Sequence, residues 1–515
     1  MGGSASQVVA NCVAIAPELT LAAAMLAVLL VDLAVLSPQT TGATAWIAAS
    51  GLGAAFVMLM QFEPGPDPAA FSGAIRLDSL ALFFQKIFVL GSLAVCLFST
   101  ASREIKGYRH GEYYALILSA TLGAMFLAAA NDFLVLLLSI ETLSLSSYVL
   151  AGYLRAERGS AEASLKYVLY GAVASGVMTF GISYLYGMTG TLKIAGVFAP
   201  LEKPAGSLAF LAALAMVLAG VGFKISAVPF HNWTPDVYEG SPTPITAFLA
   251  VVSKSAGFAI LLRLILQAGA TASGFDPLLV AQRLRGAGID VLFWLLAAAT
   301  MTVGNLIAIR QTDIKRLLGY SSIAHAGYLL MAFTVLSPAA WDALLFYFVV
   351  YYLMTLGAFY VAIVLESQLG SARISACRGM WVASPYLVVA MAVFLISLTG
   401  LPPTAGFPGK LKLFKVLIDA ALGEGGRGPW FYLSLALIGA ANSVVSLYYY
   451  FNIVRAMTLE HYEKLPAVRL GAFDRAALGL LMTAVIVFGL YFGPVQRFVQ
   501  SAFAASGGAR IIGGL

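Results

Sequence analysis

Apolar runs of bilayer-spanning length recur along the whole chain. They fall near residues 15–36, 44–62, 78–100, 112–130, 132–154, 163–188, 207–226, 243–267, 289–310, 316–334, 341–366, 382–420, 430–456 and 474–497. They show no period-two alternation and far exceed a barrel strand in length, so the pattern predicts helices throughout. A helix needs roughly 20 apolar residues to cross the hydrocarbon core. The run 382–420 is too long for one crossing and is interrupted by Gly400, Pro402, Pro403, Gly406 and Pro408. Read as one broken helix, it completes an all-α polytopic membrane protein of about 14 transmembrane helices.

Composition narrows the class. Of 515 residues, 60% are hydrophobic and only 10% charged, against about 25% charged in a typical soluble protein. A water-soluble core cannot hold that excess, which excludes a soluble enzyme. The formal net charge of +6 fits basic loops on anionic lipid. No long basic run carries interleaved aromatics, so no nucleic-acid partner is expected. Cys12, Cys96 and Cys377 lie far apart, and none of the four histidines pairs with another at helical spacing. The pattern therefore predicts no disulfide framework, metal site, haem or iron–sulfur ligation within this chain. The first residues, MGGSASQVVANCV, lack the basic n-region of a cleavable signal.

Loop charges set the orientation. One set of alternate loops carries Arg103, Lys106, Arg109, Arg155, Arg158, Arg310, Lys315, Arg316, Arg373, Arg378, Arg455, Lys464 and Arg469. The other set, with the termini, carries Arg76, Lys193, Lys203, Arg283, Arg285, Arg427, Arg497 and Arg510. The count is 13 against 8. The richer side is cytoplasmic, which puts both termini outside.

Two spans are interrupted in similar ways. The seventh ends in KISAVPFHNWTPD, with Pro229 and Pro235 after Lys224, and the twelfth reads GLPPTAGFPGKLKLF ahead of Lys410. Proline removes a backbone hydrogen bond, and freed carbonyls at membrane depth need protein or water partners. The breaks stand five spans apart. Five-helix units contain an odd number of crossings, so two such units lie inverted, as in many transporters. The expected organisation is residues 1–111 as helices 1–3, 112–267 as the first five-helix repeat, 268–456 as the second, and 457–515 as helix 14 and the tail.

Charges inside spans are few. Glu141 lies in span five, Lys166 in span six, Lys224 in span seven, Lys254 in span eight and Lys410 in span twelve. A charge at bilayer depth costs roughly 2.5–3.5 kcal/mol on insertion scales. Lysine adapts its protonation when buried, which suits proton relay. Lys166 stands near a helix start, where a lysine can simply reach the interface. Glu141 could serve only as a structural partner for a lysine. Lys412 and Lys415 compete with Lys410 for its role. In YSSIAHAGYLL, residues Ser321, Ser322, His325 and Tyr328 share one helical face, and histidine exchanges protons near neutral pH. A lone buried histidine is as readily a packing residue. His231 reads as a structural hydrogen-bonder, Asp32 and Lys86 as packing or interface charges, and Tyr448, Tyr449 and Tyr450 as interfacial anchors.

The motifs GFKISAVPFHNWTPDVYEGSPTPITAFLAVVSKSAGF, ETLSLSSYVLAGY, EASLKYVLYG, IRQTDIKRLLGYSSIAHAGY and LTGLPPTAGFPGKLKLF resemble the subunit N (subunit 2) family. These are antiporter-like membrane subunits of type I NAD(P)H:quinone oxidoreductase, respiratory complex I. The resemblance covers roughly residues 100–460. It implies a proton-translocating subunit of the membrane arm. NAD(P)H oxidation through FMN and iron–sulfur clusters, and quinone reduction (ubiquinone or plastoquinone), would belong to partner subunits. It further implies a pair of Glu141 with Lys224, a central lysine at Lys254, an outer-exit residue at Lys410, and lesser places for Lys166 and His325. The other membrane-arm subunits, the peripheral electron-input arm, the lipid bilayer and protons are the implied partners. A bacterial inner (plasma) membrane is the implied location, with a thylakoid-type photosynthetic membrane also compatible. A cation/proton antiporter subunit, which shares the fold, is the alternative.

Overall fold

The computed structural model describes residues 2–34, 41–64, 69–106, 108, 110–198, 208–271, 274–423, 426–460 and 468–502. Arg109, Lys203, His461, Lys464 and Arg510 lie outside the described residues. Among those described, 12 helices are long and apolar enough to cross a membrane. They are α1 (Ala16–Ala34), α2 (Thr41–Gln61), α3 (Ser79–Ser99), α4 (His110–Ala129), α5 (Phe133–Ala151), α6 (Arg158–Thr189), α7 (Leu208–Ile225), α8 (Thr243–Gln267), α9 (Ile289–Ala308), α11 (Pro338–Leu369), α13 (Pro429–Leu459) and α14 (Ala472–Leu490). Two more complete the fourteen: α10 (Ile314–Leu330), and α12 in two pieces, α12a (Pro385–Thr399) and α12b (Gly406–Leu422).

The ends follow local chemistry. Asp78, Asp132 and Asp313 cap α3, α5 and α10 by accepting backbone N–H bonds from Ala81, Leu134 and Arg316, the usual service of an aspartate N-cap. Gly190 and Gly370 end the 32-residue helices α6 and α11 in the left-handed conformation, which glycine adopts without a Cβ penalty. One boundary differs from the sequence pattern. The run 474–497 is not a single span: α14 stops at Leu490, and a short amphipathic helix follows over Gly493–Ser501. Gly493 and Pro494 cannot continue α14, and Gln496 is drawn inward to Asp342 at 2.8 Å and to Lys412 at 2.6 Å.

An internal correspondence at an offset of 180–181 residues ties the two halves together. Gly123 of α4 packs against the backbone of Ser139 and Leu143 in α5; Gly304 of α9 packs in the same way against Tyr320 and Ala324 in α10. Asp132 pairs antiparallel with Lys193 after α6, and Asp313 pairs likewise with Arg373 after α11. The two breaks complete the likeness. After α7 the chain turns through Ser226, at φ +62°, into a short segment, α7b (Trp233–Gly240). After α12a it turns at Gly400, at φ +89°, and resumes at Gly406.

The centre belongs to α8 and α11. The central window of α8 is buried throughout and that of α11 over 89%, whereas α14 is buried over only 17%. A helix that is apolar all round is a buried helix, so these two are walled by protein rather than lipid. The close helix pairs rest on glycine. An added Cβ at Gly304 would stand 2.7 Å from the Ala324 backbone nitrogen, while at Gly53 it would meet open space. Gly304→Ala should therefore destabilise the folded chain by about 1–3 kcal/mol through overpacking. Thermal unfolding in detergent should show a lowered Tm for it and an unchanged one for Gly53→Ala.

Candidate functional site

The buried polar side chains form a row across the middle of the molecule. It begins at Lys224, in the last turn of α7, directly before the break. At the break the Phe223 carbonyl accepts from the Ser226 N–H at 3.1 Å and from the Trp233 indole N–H of α7b at 3.0 Å. Thr234 donates to Ser226 at 2.8 Å across the same gap. Lys224 Nζ donates to Ser144 Oγ of α5 at 3.0 Å and lies 5.8 Å from the centroid of the Tyr167 ring. Glu141 stands one turn earlier on α5, half-buried, and acts on Lys224 electrostatically without ion-pair contact. The expected direct pair is thus replaced, in this conformation, by a serine-held ammonium. Glu141 and Ser144 are about one helical turn apart, and the lysine reaches the nearer group.

Lys254 is the second station. It follows a π-helical turn over Leu249–Ser253 within α8. Such turns redirect side chains and recur at functional sites. Its ammonium donates to the Ser322 carbonyl at 2.7 Å and also to the Ser322 hydroxyl. Gly257, one turn on, lets α8 approach so closely that an added Cβ would stand 3.2 Å from Lys224 Cβ. The first two lysines are therefore neighbours, with the partnerless buried hydroxyls of Tyr167 and Ser253 beside them.

From Ser322 the row continues along α10. Ser322 shares a 2.9 Å hydrogen bond with Tyr351 of α11. His325 Nδ1 is 2.7 Å from the Tyr347 hydroxyl, and Nε2 is 3.3 Å from that of Tyr450 in α13. Tyr450 also bonds Ser321. Tyr328 completes the face expected from YSSIAHAGY, and its ring lies 4.4 Å from Lys410 Nζ. Lys410 stands in the second turn of α12b. It donates at 2.8 Å to the carbonyl of Thr399, the last residue of α12a. Of the three lysines at the break, Lys410 alone is buried in the row. Lys412 pairs with Asp342 at 3.2 Å and Lys415 with Asp419 at 2.7 Å.

Lys166 is placed elsewhere. It pairs with Asp236 at 2.5 Å and with Glu162 at 2.7 Å, part-exposed in a cleft, while Arg316 pairs with Asp236 at 2.6 Å and Glu239 at 2.8 Å. Burial pushes the Asp236 carboxyl up, but its bonds from Lys166 and Arg316 bring it below the usual carboxylate range. His231 stays outside the row, its Nδ1 buried without a partner.

The tyrosine run required correction. Only Tyr448 is exposed; Tyr449 and Tyr450 are fully buried, Tyr449 donating to Asn305 at 2.9 Å. Successive helical residues face different directions, so one tyrosine meets lipid while its neighbours turn inward. Tyr347 and Tyr351 were also not singled out from sequence. Their i, i+4 spacing on α11, opposite the α10 serines, is the signal that marks them.

Fourteen helices, two inverted broken-helix units and a lysine–histidine–tyrosine row define a membrane-embedded, antiporter-like ion-translocation subunit. Residues 130–424 match the family described as NADH:quinone oxidoreductase/Mrp antiporter, transmembrane. The chain is 41% identical over 501 residues, 94% of its length and 95% of the relative's, to NADH-quinone oxidoreductase subunit N of Anaeromyxobacter sp.. It resembles a chain of respiratory complex I from Thermus thermophilus at 32% identity, TM-score 0.74, covering 93% of this chain and 98% of that one. A chain of the Mrp complex from Dietzia sp. has TM-score 0.78 at 19% identity, covering 95% and 97%, and shares the fold. The chain belongs to the subunit N family of NADH:quinone oxidoreductase.

Lys410→Ala removes the donor to the Thr399 carbonyl and one end of the row. Membrane assembly should be largely retained, since an unmet hydrogen bond costs about 1–3 kcal/mol. Proton pumping and quinone-linked turnover, measured together in sealed vesicles, should fall together.

Proposed function

We propose that this chain is a proton-translocating subunit of the membrane arm of an NAD(P)H:quinone oxidoreductase in a bacterial inner membrane. Lys224, Lys254, His325 and Lys410 carry the proton, and Glu141 modulates its uptake. The observation that carries this reading is the row itself, from α7 to α12b. Electron transfer through FMN and iron–sulfur clusters to quinone is assigned to partner subunits. In this chain Cys12, Cys96 and Cys377 are free. The working units are residues 112–267 and 268–456.

The chemistry follows from what each group can exchange. Lysine moves a proton only by alternating between ammonium and amine. Among the described residues, no carboxylate lies in ion-pair contact with Lys224, Lys254 or Lys410. Like charges in a low-dielectric interior repel strongly, so loading one lysine favours release from the next. The Tyr167 and Ser253 hydroxyls stand between Lys224 and Lys254 as carriers. Between Ser322 and Lys410, neutral His325 takes a proton on one ring nitrogen and releases one from the other, with Tyr347 and Tyr450 on the two sides. Lys410 then faces the break in α12, where unwound backbone lines a route to the outer side.

Two features favour this reading over a cation antiporter. The identity to subunit N extends over nearly the whole chain, whereas the likeness to the Mrp chain is one of fold. The row is also built of cations and hydroxyls, which suit protons better than metal cations. Lys254→Arg keeps the charge but not the exchange, because arginine stays protonated. In the reconstituted complex, proton pumping and coupled quinone reduction should be abolished or nearly so, with NAD(P)H oxidation by an artificial acceptor unchanged. Wild-type pumping in that variant would refute the relay.

A further inference from the structure

A second group of ionisable residues lies off the row, at the membrane face that the loop charges assign to the cytoplasm. Lys315, in the first turn of α10, is buried. Its ammonium donates to the Ser241 carbonyl at 3.0 Å and stands 3.4 Å from Glu366 and 3.9 Å from Glu104. Glu366 comes from the end of α11 and Glu104 from the loop between α3 and α4. Thr243, opening α8, joins the two carboxylates: its N–H donates to Glu104 at 2.9 Å and its hydroxyl donates to Glu366. The group lines a cleft of about 290 Å³ together with Glu157, Glu162, Asp236, Glu239 and Arg316. The outer acids Glu162, Asp236 and Glu239 each contact Lys166 or Arg316, three carboxylates on two cations. At Glu104 and Glu366, two carboxylates share one lysine.

That excess of negative charge is mostly shielded from solvent, the two side chains being 14% and 17% exposed, and a single proton relieves it. Two carboxylates that share a site cannot both ionise freely. Burial pushes the Glu104 carboxyl up; Lys315 opposes this and Glu366 adds to it. The other titratable groups acting here are Asp313 at the α10 cap, Glu239 beyond it, and Tyr113 of α4.

A passage leads from this group toward the row. The hydroxyls of Ser241, Tyr238 and Thr355 are buried, and none has a partner within 3.5 Å in hydrogen-bonding geometry among the described residues. Buried hydroxyls of this kind are met by water. Tyr238 interacts with Ser322 and Tyr351, and Thr355 with Tyr351. Lys315 and Ser322 lie on one face of α10, two turns or about 10 Å apart.

We propose that Glu104 and Glu366, clamped by Lys315, form a proton-loading pair that takes a proton from the cytoplasmic cleft and delivers it past Ser241, Tyr238 and Thr355 to Ser322 and Lys254. This rests on the reading of the row as a proton path. In the loading step a carboxylate oxygen binds a proton from water, giving a carboxylic acid and hydroxide that the bulk buffer neutralises. In delivery the acid returns its proton to the passage, the Lys254 amine becomes ammonium, and the carboxylate is restored.

The test is the pH profile of proton pumping by the whole complex in liposomes, with Glu366→Gln, Glu366→Asp, Glu104→Gln and Lys254→Ala. Removing Glu366 removes a negative charge that adds to burial in holding the Glu104 carboxyl up. The remaining acid then loads only at lower pH. Glu366→Gln should move the alkaline limb of the profile to lower pH, with rates beyond it falling about tenfold per pH unit. Glu104→Gln should likewise cost pumping at the alkaline end, and Glu366→Asp should keep the wild-type limb. A uniform loss at all pH values, or an unchanged profile, overturns the loading pair. Should Glu366→Gln fail to assemble, Thr355→Val removes one hydroxyl of the passage and leaves the ion pairs intact. Slowed pumping in that variant supports the route, and wild-type rates overturn it. Lys254→Ala separates the two claims: inactivity there with a wild-type Glu366→Gln profile rejects only the loading pair, while normal pumping in Lys254→Ala rejects the row and the pair with it.

Discussion

The hydrogen bond from Lys410 to the Thr399 carbonyl meets two requirements that hydrocarbon imposes at once. A broken helix exposes carbonyls that lipid cannot satisfy, and a buried ammonium needs acceptors. Each supplies what the other lacks. The break after α7 uses a different device, an indole N–H on the Phe223 carbonyl, and leaves Lys224 free to reach across to α5. The two breaks therefore resemble each other as interruptions and differ in how their lysines are held.

The interior is arranged around a shortage of anions. Along the row the lysines bond to hydroxyls and backbone carbonyls, and carboxylates are kept to its margins. Glu141 lies half-buried at one side, and Glu104 with Glu366 lies at the cleft. A lysine paired tightly with a carboxylate would hold its proton; a lysine held by a serine can release it. Lys166, clasped by Asp236 and Glu162, illustrates the first condition, and Lys254 on Ser322 the second. Burial of α8 and α11 keeps lipid away from these lysines.

Much of this architecture is visible in the chain's own pattern. Twenty-residue apolar runs admit few solutions other than helices, because only helices satisfy their backbone internally. Proline and glycine mark both breaks, and the rarity of charge inside spans singles out Lys224, Lys254 and Lys410. What the pattern conceals is direction. Tyr448, Tyr449 and Tyr450 form one polar-aromatic run, yet one faces outward and two face the row, since each residue on a helix is rotated from the last. The boundary at Leu490 was hidden because the apolar run continues through Tyr491 and Phe492, past the point where the helix itself ends.

The helices, the two interruptions and the charged residues that must find shelter inside can be read from the chain alone, because those follow from length, periodicity and the cost of burying charge. Which partners the charges take is set by the packing of distant helices. Glu104, Lys315 and Glu366 are separated by up to 262 positions, and they meet because α3 and α11 end, and α10 begins, at the same face. Lys224 binds Ser144 because α5 packs near the end of α7. No local pattern encodes such meetings; they arise from helices crossing, with glycines setting how closely they approach.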